Sequence, residues 1–303
     1  MLNFDCVVIG AGIAGMTASL YLKRAGISVL LLEKSAPGGQ VNRTPSIENY
    51  PGIFKIDGPT FAMTCFEQIM DIGVLYHYGT VTSIEDKGTI KIITTDMEQI
   101  STKTIILALG RSPRELHLPN EKSLTGRGVS WCALCDGPLF KNQEVAIVGG
   151  GNSALEEALY LSQICTKVTL INRSNTLRAE QILQDKIKEK SNIIIRYNTE
   201  VMKLNEDDNK LSSIVLKSKN KVENYPISGL FLSIGYTPDT VFLEKMNLDL
   251  KDNYIVVNEE MKTNIPGVFA CGDVIFKDVY QISTAIGEAA TASVSVMKYL
   301  KNT

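Results

Sequence analysis

Four mostly apolar runs stand out along the chain, at residues 6–9, 28–32, 144–148 and 167–171. Apolar runs without polar alternation are typical of strands that are buried on both faces of a parallel sheet. A helical spacing of apolar residues follows the first run, over 16–25, and the third run, over 155–164. Strand, helix and strand therefore follow one another twice, and this order predicts two βα units of parallel sheets.

Further strands and one long helix complete the pattern. Residues 75–110 are rich in strand signals, and residues 265–300 predict a strand followed by a helix. The sequence Asp-Asp-Asn-Lys at 207–210 has the composition of a hairpin turn. Beyond the two βα units, the sequence contains no internal repeat and no low-complexity segment.

Length and composition allow about two packed domains. The chain has 303 residues, of which 44% are hydrophobic, and one domain commonly takes ~100–200 residues. The net charge of −2 disfavours the basic surface that nucleic acids or anionic membranes require. No apolar stretch approaches the ~18 residues of a membrane-spanning helix. The apolar start at residues 7–9 runs into glycines and lacks the features of a signal peptide, so we expect a cytoplasmic protein.

The first apolar strand enters the sequence Gly-x-Gly-x-x-Gly at residues 10–15. Its first glycine permits a tight turn, the second lets the backbone approach a pyrophosphate, and the third lets the helix pack on the strand. The N–H groups and positive dipole at the helix N-terminus favour phosphate. Glu33 ends the next strand, where an acid binds a ribose hydroxyl. These features predict a dinucleotide site and do not distinguish FAD from NAD.

A second fingerprint, Gly-x-Gly-x-x-Ala, occupies residues 149–154. The strand that follows it ends in Asn-Arg-Ser at 172–174 in place of an acid, and Arg178 comes four residues later. Arginine without an acid at this point is typical of sites that bind the 2′-phosphate of NADPH. A pair of solvated surface arginines is the alternative interpretation.

Two of the six cysteines have the spacing of a redox motif. Cys132 and Cys135 are separated by two residues, which lets both sulfurs meet in one turn and bond reversibly. Half of a zinc site is the alternative, but two histidines and no second cysteine pair disfavour four-ligand zinc, and no metal is expected. The other cysteines lie among apolar or small residues and are interpreted as buried, inert thiols: Cys6, Cys65, Cys165 and Cys271.

Several further segments resemble one known family. Gly-Gly-Gln at 38–40, Glu-Asn-Tyr-Pro-Gly at 48–52 and Gly-Val-Phe-Ala-Cys-Gly-Asp-Val at 267–274 resemble the flavin-contacting loops of the low-molecular-weight bacterial thioredoxin reductases, which are flavoprotein disulfide reductases. With Leu-Glu-Glu-Ala at 155–158 and Gly-Tyr-Thr-Pro-Asp at 235–239, the resemblance spans the whole chain. It implies FAD and NADPH as cofactors, a thioredoxin or thioredoxin-like protein as client, and a homodimer. Neither nucleic acid nor a membrane is an expected partner.

The resemblance and the strand pattern together predict an α/β fold with two Rossmann-like dinucleotide-binding domains of the three-layer ββα type. The second domain is expected to be inserted into the first. Residues 1–112 and 243–303 are expected to form the FAD-binding domain, and residues 113–242 the domain of NAD(P)H and the dithiol. Candidate crossings between the domains lie at 110–114 and 235–240 and are candidate hinges.

The resemblance also implies roles for individual residues. Cys135 is expected to interact with the flavin, Cys132 to attack the client disulfide, and Asp136 to act as the acid or base for the leaving thiol. N-capping of a following helix is a second role open to Asp136. The residues expected to bind FAD are Gly10, Gly12, Ala14, Gly15, Glu33, Lys34, Gly39, Gln40, Asn49, Val81, Ala108, Gly110, Gly272, Asp273 and Gln281. The residues expected to bind NADPH are Gly149, Gly151, Asn152, Ser153, Ala154, Arg173 and Arg178.

Two departures from the family pattern leave the electron donor open. The family has His-Arg-Arg-x-x-x-Arg where this chain has Asn-Arg-Ser at 172–174 and Arg178, and it has Arg-Gln where this chain has Tyr-Gln at 280–281. Loss of one phosphate partner weakens binding by ~1.5–3 kcal/mol if it is not replaced. NADH and reduced ferredoxin are therefore alternative donors, and a flavin dithiol oxidase that passes electrons to oxygen is an alternative activity. The intact fingerprint at 149–154 favours NADPH.

Overall fold

The computed structural model describes the chain over residues 2–44, 47–219, 221–238 and 240–303. The chain divides into two compact units. The first unit comprises Met1–Asn42, Tyr50–Ser112 and Thr237–Thr303. The second unit comprises Arg43–Asn49 and Pro113–Tyr236, so most of it is inserted into the chain of the first.

The strands are, in chain order, β1 (Leu2–Ile9), β2 (Val29–Glu33), β3 (Leu75–Tyr78), β4 (Val81–Asp86), β5 (Lys91–Thr95), β6 (Gln99–Leu107), β7 (Ser112–Pro113), β8 (Val129–Ser130), β9 (Glu144–Val148), β10 (Lys167–Ile171), β11 (Ile193–Arg196), β12 (Thr199–Asp207), β13 (Lys210–Ser218), β14 (Lys221–Pro226), β15 (Gly229–Leu232), β16 (Tyr236–Thr237), β17 (Leu250–Lys251), β18 (Tyr254–Ile255) and β19 (Val268–Ala270). The α-helices are α1 (Ile13–Arg24), α2 (Gly58–Asp71), α3 (Ala133–Asp136), α4 (Asn152–Leu161), α5 (Gln181–Lys188) and α6 (Ile282–Asn302). Short 3₁₀ helices cover Gly39–Arg43, Gly137–Phe140, Val241–Met246 and Gly272–Val274. Within the described ranges, no helix has both the length and the apolar character needed to span a membrane.

A mixed sheet forms the centre of the first unit. Its strands lie in the order β3-β2-β1-β6-β5-β4, and β19 also pairs with β6. The pairs among β1, β2, β3, β6 and β19 are parallel, whereas β4 and β5 join by antiparallel pairing. Cys6 of β1 lies opposite Val29 on one side and Thr104 on the other. The carboxyl ends of the parallel strands therefore share one edge, which is where α/β folds bind nucleotides.

Helix α1 packs against α6 through small residues. Ala18 of α1 is fully buried, as are Ala289 and Ala292 of α6. The hydroxyl of Ser293 lies 3.3 Å from the carbonyl oxygen of Ala18, a distance that requires close approach of the two helices. Both helices also contact β6. This packing fixes the position of α1 and therefore of the loop between β1 and α1.

The second unit contains a parallel sheet and a separate antiparallel one. The parallel sheet has the strand order β11-β10-β9-β15-β8, and Leu155 and Ala158 of α4 lie in the apolar cluster that also contains Val145 of β9. The antiparallel sheet has the order β12-β13-β14. Asp208 and Asn209 join its first two strands with φ angles of 48° and 58°. These left-handed angles suit a tight hairpin turn, and the turn predicted at this position is confirmed.

The two chain segments that connect the units pair with each other. Ser112–Pro113 and Tyr236–Thr237 form a two-stranded sheet, and the N–H of Arg114 donates to the carbonyl oxygen of Gly235 at 2.9 Å. Both segments fall within the stretches that the sequence predicts as crossings, although Asp239 of the second stretch lies outside the described residues. Their action as hinges stays a prediction.

The topology confirms the predicted fold class, an α/β fold with two Rossmann-like units of which the second is inserted into the first. The starts of the two fingerprint helices differ from the prediction. Helix α1 begins at Ile13 and α4 at Asn152, three residues before the predicted starts at Met16 and Leu155. The reason is that both helices begin directly after the second glycine of a fingerprint, so their first N–H groups face the glycine loop.

Candidate active site

Cys132 and Cys135 form a disulfide in the second unit, with Cα atoms 5.3 Å apart. They lie just beyond the carboxyl end of β8, where the chain turns into the one-turn helix α3. Cys132 is the N-cap of this helix, and the N–H of Cys135 donates to Sγ of Cys132 at 3.2 Å. An N–H group aimed at sulfur stabilises the thiolate that forms on reduction. The arrangement therefore suits Cys132 to nucleophilic attack.

Asp136 follows the disulfide and is buried, with 8% of its surface exposed. Its Oδ2 accepts a hydrogen bond from the hydroxyl of Ser130 at 2.6 Å, whereas Oδ1 has no hydrogen-bond partner among the described residues. Burial raises the pKa of Asp136, and the hydrogen bond from Ser130 opposes that rise. Asp136 therefore keeps a proton to higher pH than an exposed aspartate does, which suits an acid in proton transfer.

The capping role considered for Asp136 is wrong. The residue directly precedes the 3₁₀ helix Gly137–Phe140, but its side chain makes no capping hydrogen bond to the residues that the structure describes. An N-cap residue normally has an extended backbone, whereas Asp136 has the helical angles φ −104° and ψ −15°. Its carboxylate is directed to Ser130 of β8 instead.

Within the described chain, the other four cysteines are free thiols. Cys6, Cys165 and Cys271 are buried, and Cys65 is half-buried. Desolvation raises the pKa of the Cys6 thiol to about 12 and the pKa of Cys165 to about 11. Burial also raises the pKa of Cys65 and Cys271. Because the thiolate is the reactive form, the raised pKa values make these thiols weaker nucleophiles near neutral pH than an exposed thiol. The predicted burial is wrong for Cys65, which is half-buried.

The first fingerprint forms an open cradle at the N-terminus of α1. Gly10 has a φ of +104°, and a side chain there would overlap the carbonyl oxygen of Ala108. Gly12 is the N-cap of α1, and no atom of the described residues lies within 4 Å of the place that a Cβ would take there. The first N–H groups of α1 therefore face the open side of the loop, where a diphosphate binds at a helix N-terminus. This geometry fits the diphosphate of FAD.

Glu33, at the end of β2, is fixed beside this cradle. Its Oε2 accepts from the N–H of Ala11 at 2.7 Å, and its Oε1 accepts from the N–H of Ser35 at 2.9 Å. Lys34 follows Glu33 and is exposed. A carboxylate held against the glycine loop in this way fits the acid that binds the ribose hydroxyls of a dinucleotide.

The predicted FAD residues Ala14 and Gly272 face each other. Gly272 has a φ of +77°, and a Cβ at this position would lie 2.8 Å from the Cβ of Ala14. The N–H of Gly272 donates to Oε2 of Glu288 at 3.0 Å. Gly15 is buried in the same first turn of α1 as Ala14. The loop after β19 therefore lies directly on the fingerprint helix.

Asp273 lies just beyond β19 at the centre of a charged cluster. Its Oδ2 lies 3.4 Å from Nε2 of Gln40 and 3.6 Å from Nε of Arg111. Its Oδ1 lies 3.7 Å from Nζ of Lys277, which also pairs with Glu288 of α6 at 2.7 Å. The structure therefore brings together two predicted FAD residues, Gln40 and Asp273, and surrounds the carboxylate with two cations.

Arg111 and Lys277 are residues of this cluster that the sequence does not point to. The guanidinium of Arg111 lies 3.6 Å from the centre of the Tyr280 ring and 3.5 Å from the hydroxyl of Tyr254. Stacking of a cation on an aromatic face is favourable, and Tyr280 stands where the family carries an arginine. Neither residue belongs to a spaced motif, so no local signal could have predicted the contact.

The remaining predicted FAD residues lie in several places. Val81 begins β4 and is buried, and Ala108 and Gly110 follow the carboxyl end of β6. Gly39 begins a 3₁₀ helix. Gln281 is the N-cap of α6, and its side chain takes part in a capping box. Asn49 is different, since its segment belongs to the second unit.

The second fingerprint has the same construction as the first. Gly151 is the N-cap of α4, and no atom of the described residues lies within 4 Å of the place that a Cβ would take there. Ala154 is buried in the first turn of α4, and Ser153 is exposed beside it. The loop at Gly149 therefore leaves the N-terminus of α4 accessible to a second diphosphate.

The loop that carries the arginines is tied to this fingerprint. The carbonyl oxygen of Gly150 accepts from the N–H groups of Arg178 at 2.7 Å and Ala179 at 3.1 Å. The side-chain amide of Asn152 donates to Oε1 of Glu180 at 3.0 Å and accepts from the N–H of Glu180 at 2.9 Å. These bonds hold the arginine loop beside the N-terminus of α4.

Asn172 shapes the same loop from inside. It is buried, and its Nδ2 donates to the carbonyl oxygens of Ser174 at 3.1 Å and Thr176 at 2.8 Å. Arg173 and Arg178 are exposed. Two exposed guanidinium groups on a fixed loop fit the 2′-phosphate of NADPH. The sequence shows Asn172 as a departure from the family pattern and contains no signal for its role in the loop.

Comparisons with known proteins identify the family. A family model described as pyridine nucleotide-disulphide oxidoreductase matches residues 4–292. The chain is 39% identical to the thioredoxin reductase of Listeria innocua over 300 residues, which cover 98% of this chain and 94% of that protein. It is 36% identical to the thioredoxin reductase of Bacillus subtilis over 300 residues, which cover 98% of this chain and 95% of that protein.

Solved structures agree with this result. The thioredoxin reductase of Streptococcus pyogenes MGAS5005 has a TM-score of 0.95 at 40% identity, with 99% of both chains covered. The thioredoxin reductase of Giardia duodenalis has a TM-score of 0.93 at 29% identity, with 99% of this chain and 100% of that chain covered. The resemblance predicted from the sequence motifs is confirmed. The chain belongs to the pyridine nucleotide-disulphide oxidoreductase family and, within it, to the low-molecular-weight thioredoxin reductases.

Proposed function

We propose that the protein is a thioredoxin reductase, which passes electrons from NADPH through FAD and the Cys132–Cys135 pair to the disulfide of a thioredoxin. The observation that carries the proposal is this disulfide, with the buried Asp136 beside it, in a unit that also contains a nucleotide fingerprint. A dithiol next to a proton donor serves thiol–disulfide exchange. The relatives matched by the chain are thioredoxin reductases.

FAD is assigned to the first unit. The N-terminus of α1 would hold its diphosphate, Glu33 would bind ribose hydroxyls, and Asp273 would bind the ribityl chain. Bound FAD supplies a carrier that accepts two electrons from a nicotinamide and passes them to a disulfide. Arg111 and Lys277 orient the carboxylate of Asp273 through the contacts at 3.6 Å and 3.7 Å.

NADPH is assigned to the second unit. The N-terminus of α4 would hold its diphosphate, and Arg173 and Arg178 would pair with its 2′-phosphate. This phosphate carries negative charge that NADH lacks, so the two arginines favour NADPH over NADH. Asn172 supports the pair because it fixes the loop on which both arginines lie.

The chain's own residues account for the exchange with the client. In the reduced protein, the thiolate of Cys132 attacks one sulfur of the client disulfide, and the other client sulfur leaves as a thiolate. Cys135 then attacks Sγ of Cys132, which releases the first client sulfur and restores the disulfide. Each departing thiolate takes up a proton, and Asp136 is proposed to supply one, since burial raises its pKa. One client disulfide is reduced for each dithiol oxidised.

Anaerobic mixing of the FAD-loaded protein with NADPH tests the donor. We expect rapid loss of the oxidised flavin absorbance. After addition of thioredoxin, we expect one NADPH to be consumed for each thioredoxin disulfide reduced. A flavin that stays oxidised with NADPH would reject this donor, and an absence of thioredoxin reduction by the chemically reduced protein would reject the client.

Reduced ferredoxin is the second candidate donor. The observation that favours it is Ser174, which stands in place of a family arginine and leaves Arg173 and Arg178 as the cations of the loop. Flavin reduction by reduced ferredoxin, together with no reduction by NADPH, would establish this donor. Oxygen uptake with a small dithiol as substrate would instead indicate a flavin dithiol oxidase.

A cytoplasmic homodimer completes the proposal. The dimer is supported by the resemblance to the family. The location is supported by cysteine usage, because a reactive dithiol with four free thiols suits a reducing compartment. Light scattering of the FAD-loaded protein should give a mass near twice the 33.3 kDa of one chain, and a mass equal to one chain would contradict the dimer.

A further inference from the structure

Ser130, the last residue of β8, is bonded to two parts of the dithiol motif. It is buried, with 4% of its surface exposed. Its hydroxyl donates to Oδ2 of Asp136 at 2.6 Å, and its oxygen accepts from the N–H of Cys132 at 3.1 Å. The carbonyl oxygen of Cys132, at 3.4 Å, is a longer and weaker alternative acceptor. Because a hydroxyl has one proton and two lone pairs, one side chain holds both the acid and the backbone of the attacking cysteine.

We propose that Ser130 is a positioning residue for proton transfer at the dithiol: it occupies Oδ2 of Asp136, so that Oδ1 is the oxygen that carries and delivers the proton. The inference deepens the function proposed above and rests on Asp136 acting as the acid. Oδ1 is buried without a hydrogen-bond partner among the described residues. A carboxylic acid that accepts a hydrogen bond on one oxygen keeps its proton on the other.

Among the residues that the structure describes, Ser130 is the polar group that hydrogen-bonds this carboxyl. Burial raises the pKa of Asp136, and the hydrogen bond from Ser130 lowers it. The elements around Asp136 are β8, the 3₁₀ helix Gly137–Phe140 and helix α4, which packs on α3. Strand β8 and the 3₁₀ helix carry no charged residue. In the oxidised protein, Cys132 and Cys135 are joined in the disulfide and do not titrate. The titratable residues on these elements besides Asp136 are Glu156, Glu157 and Tyr160.

Removal of the hydroxyl should raise the pKa of Asp136 further, because burial then acts without opposition. The loss of a hydrogen bond to a charged group corresponds to a pKa shift of about 1 unit. The same removal leaves both carboxyl oxygens without a donor, so the proton is no longer confined to Oδ1. Ser130→Ala is therefore expected to slow thiol–disulfide exchange as well as to shift the titration.

Infrared difference spectroscopy of the oxidised, FAD-loaded protein measures the titration directly, through the C=O band of the protonated carboxylic acid. Asp136→Asn identifies the band, since this variant lacks it. We expect Ser130→Ala to move the midpoint upward by about 1 pH unit. Ser130→Thr keeps a hydroxyl and should restore a midpoint near that of the wild type. An unchanged midpoint in Ser130→Ala would overturn the proposal.

A second readout separates an effect of Ser130 through the carboxyl of Asp136 from an effect through the backbone of Cys132. Thioredoxin turnover is compared among the wild type, Ser130→Ala, Asp136→Asn and the double variant. The double variant should be no slower than Asp136→Asn, because Ser130 acts through the carboxyl. If the fold-loss of turnover in the double variant equals the product of the fold-losses in the two single variants, the proposal is overturned, since Ser130 would then act through the backbone of Cys132. The infrared titration needs neither NADPH nor thioredoxin, so its result is independent of whether the proposed donor and client are correct.

Discussion

The carbonyl oxygen of Gly150 accepts a hydrogen bond from the backbone N–H of Arg178 at 2.7 Å. This bond joins the second nucleotide fingerprint to the loop that carries both candidate phosphate-binding arginines. The first N–H groups of α4 and the backbone of Arg178 therefore belong to one fixed frame. A site that is fixed before the ligand arrives loses less conformational entropy on binding.

Arg173→Ala is expected to raise the KM for NADPH about 10-fold or more and to leave the KM for NADH almost unchanged, because one charge-assisted hydrogen bond to phosphate contributes ~1.5–3 kcal/mol. Steady-state kinetics with both nucleotides measure the two constants. Arg127→Ala, which removes an exposed arginine elsewhere in the same unit, is the matched control. Equal effects on the two nucleotides would mean that Arg173 does not bind the 2′-phosphate.

Asn172→Ala removes the two hydrogen bonds that hold the arginine loop. We expect the affinity for 2′,5′-ADP, measured by calorimetric titration, to fall by up to roughly 30-fold, since two lost bonds of about 1 kcal/mol each amount to ~2 kcal/mol. Asn172→Asp is the stricter variant, because it keeps the size of the side chain and loses the donor to Ser174 and Thr176. An affinity that survives both substitutions would show that the loop keeps its shape without this side chain.

Local spacing predicted most of the fold and part of the candidate site. The fingerprint at 10–15 combines a strand, a tight turn and a helix start, and its glycines allow few other conformations. The two cysteines at 132 and 135 can form a disulfide within one turn because only two residues separate them. Such features can be read from a sequence because the residues that satisfy them are neighbours in the chain.

Contacts between distant segments were not predictable in this way. Arg111 reaches the ring of Tyr280, and Lys277 joins Asp273 to α6. These pairs depend on where β6, β19 and α6 meet, and no local pattern encodes that meeting point. The capping role of Asp136 was wrong for a related reason, because packing against β8 decides the direction of the carboxylate.

Cys135→Ser is expected to abolish NADPH-dependent thioredoxin reduction, because a mixed disulfide between Cys132 and the client can no longer be resolved. The FAD content should stay unchanged, since the main FAD candidates lie in the first unit. Thioredoxin turnover and the ratio of flavin to protein absorbance measure the two effects. Cys165→Ser removes a buried free thiol of the same unit and serves as the control with activity retained. Full activity in Cys135→Ser would contradict the assignment.

Asp136→Asn is expected to slow thioredoxin turnover about 100-fold, as the loss of a general acid commonly does. It should also change how stability depends on pH. The folded-state pKa of Asp136 lies above the ordinary value of 3.8, so the wild type loses stability as the pH rises from 3.8 through the folded-state pKa. The Asn variant lacks this loss. The melting temperature of the variant should therefore rise relative to that of the wild type as the pH increases. A constant difference in melting temperature across the pH range would show that the carboxyl does not titrate in that range.

The contact between Ala14 and Gly272 has a consequence for how this protein can diverge. A Cβ at Gly272 would lie 2.8 Å from the Cβ of Ala14 and would need a backbone φ of +77°, so position 272 cannot gain a side chain while Ala14 stays as it is. The two residues are more than half the chain apart, yet their sizes are linked. Among divergent relatives, a side chain at position 272 is expected to occur only with a displaced loop or with glycine at position 14. The positions should therefore co-evolve as one unit.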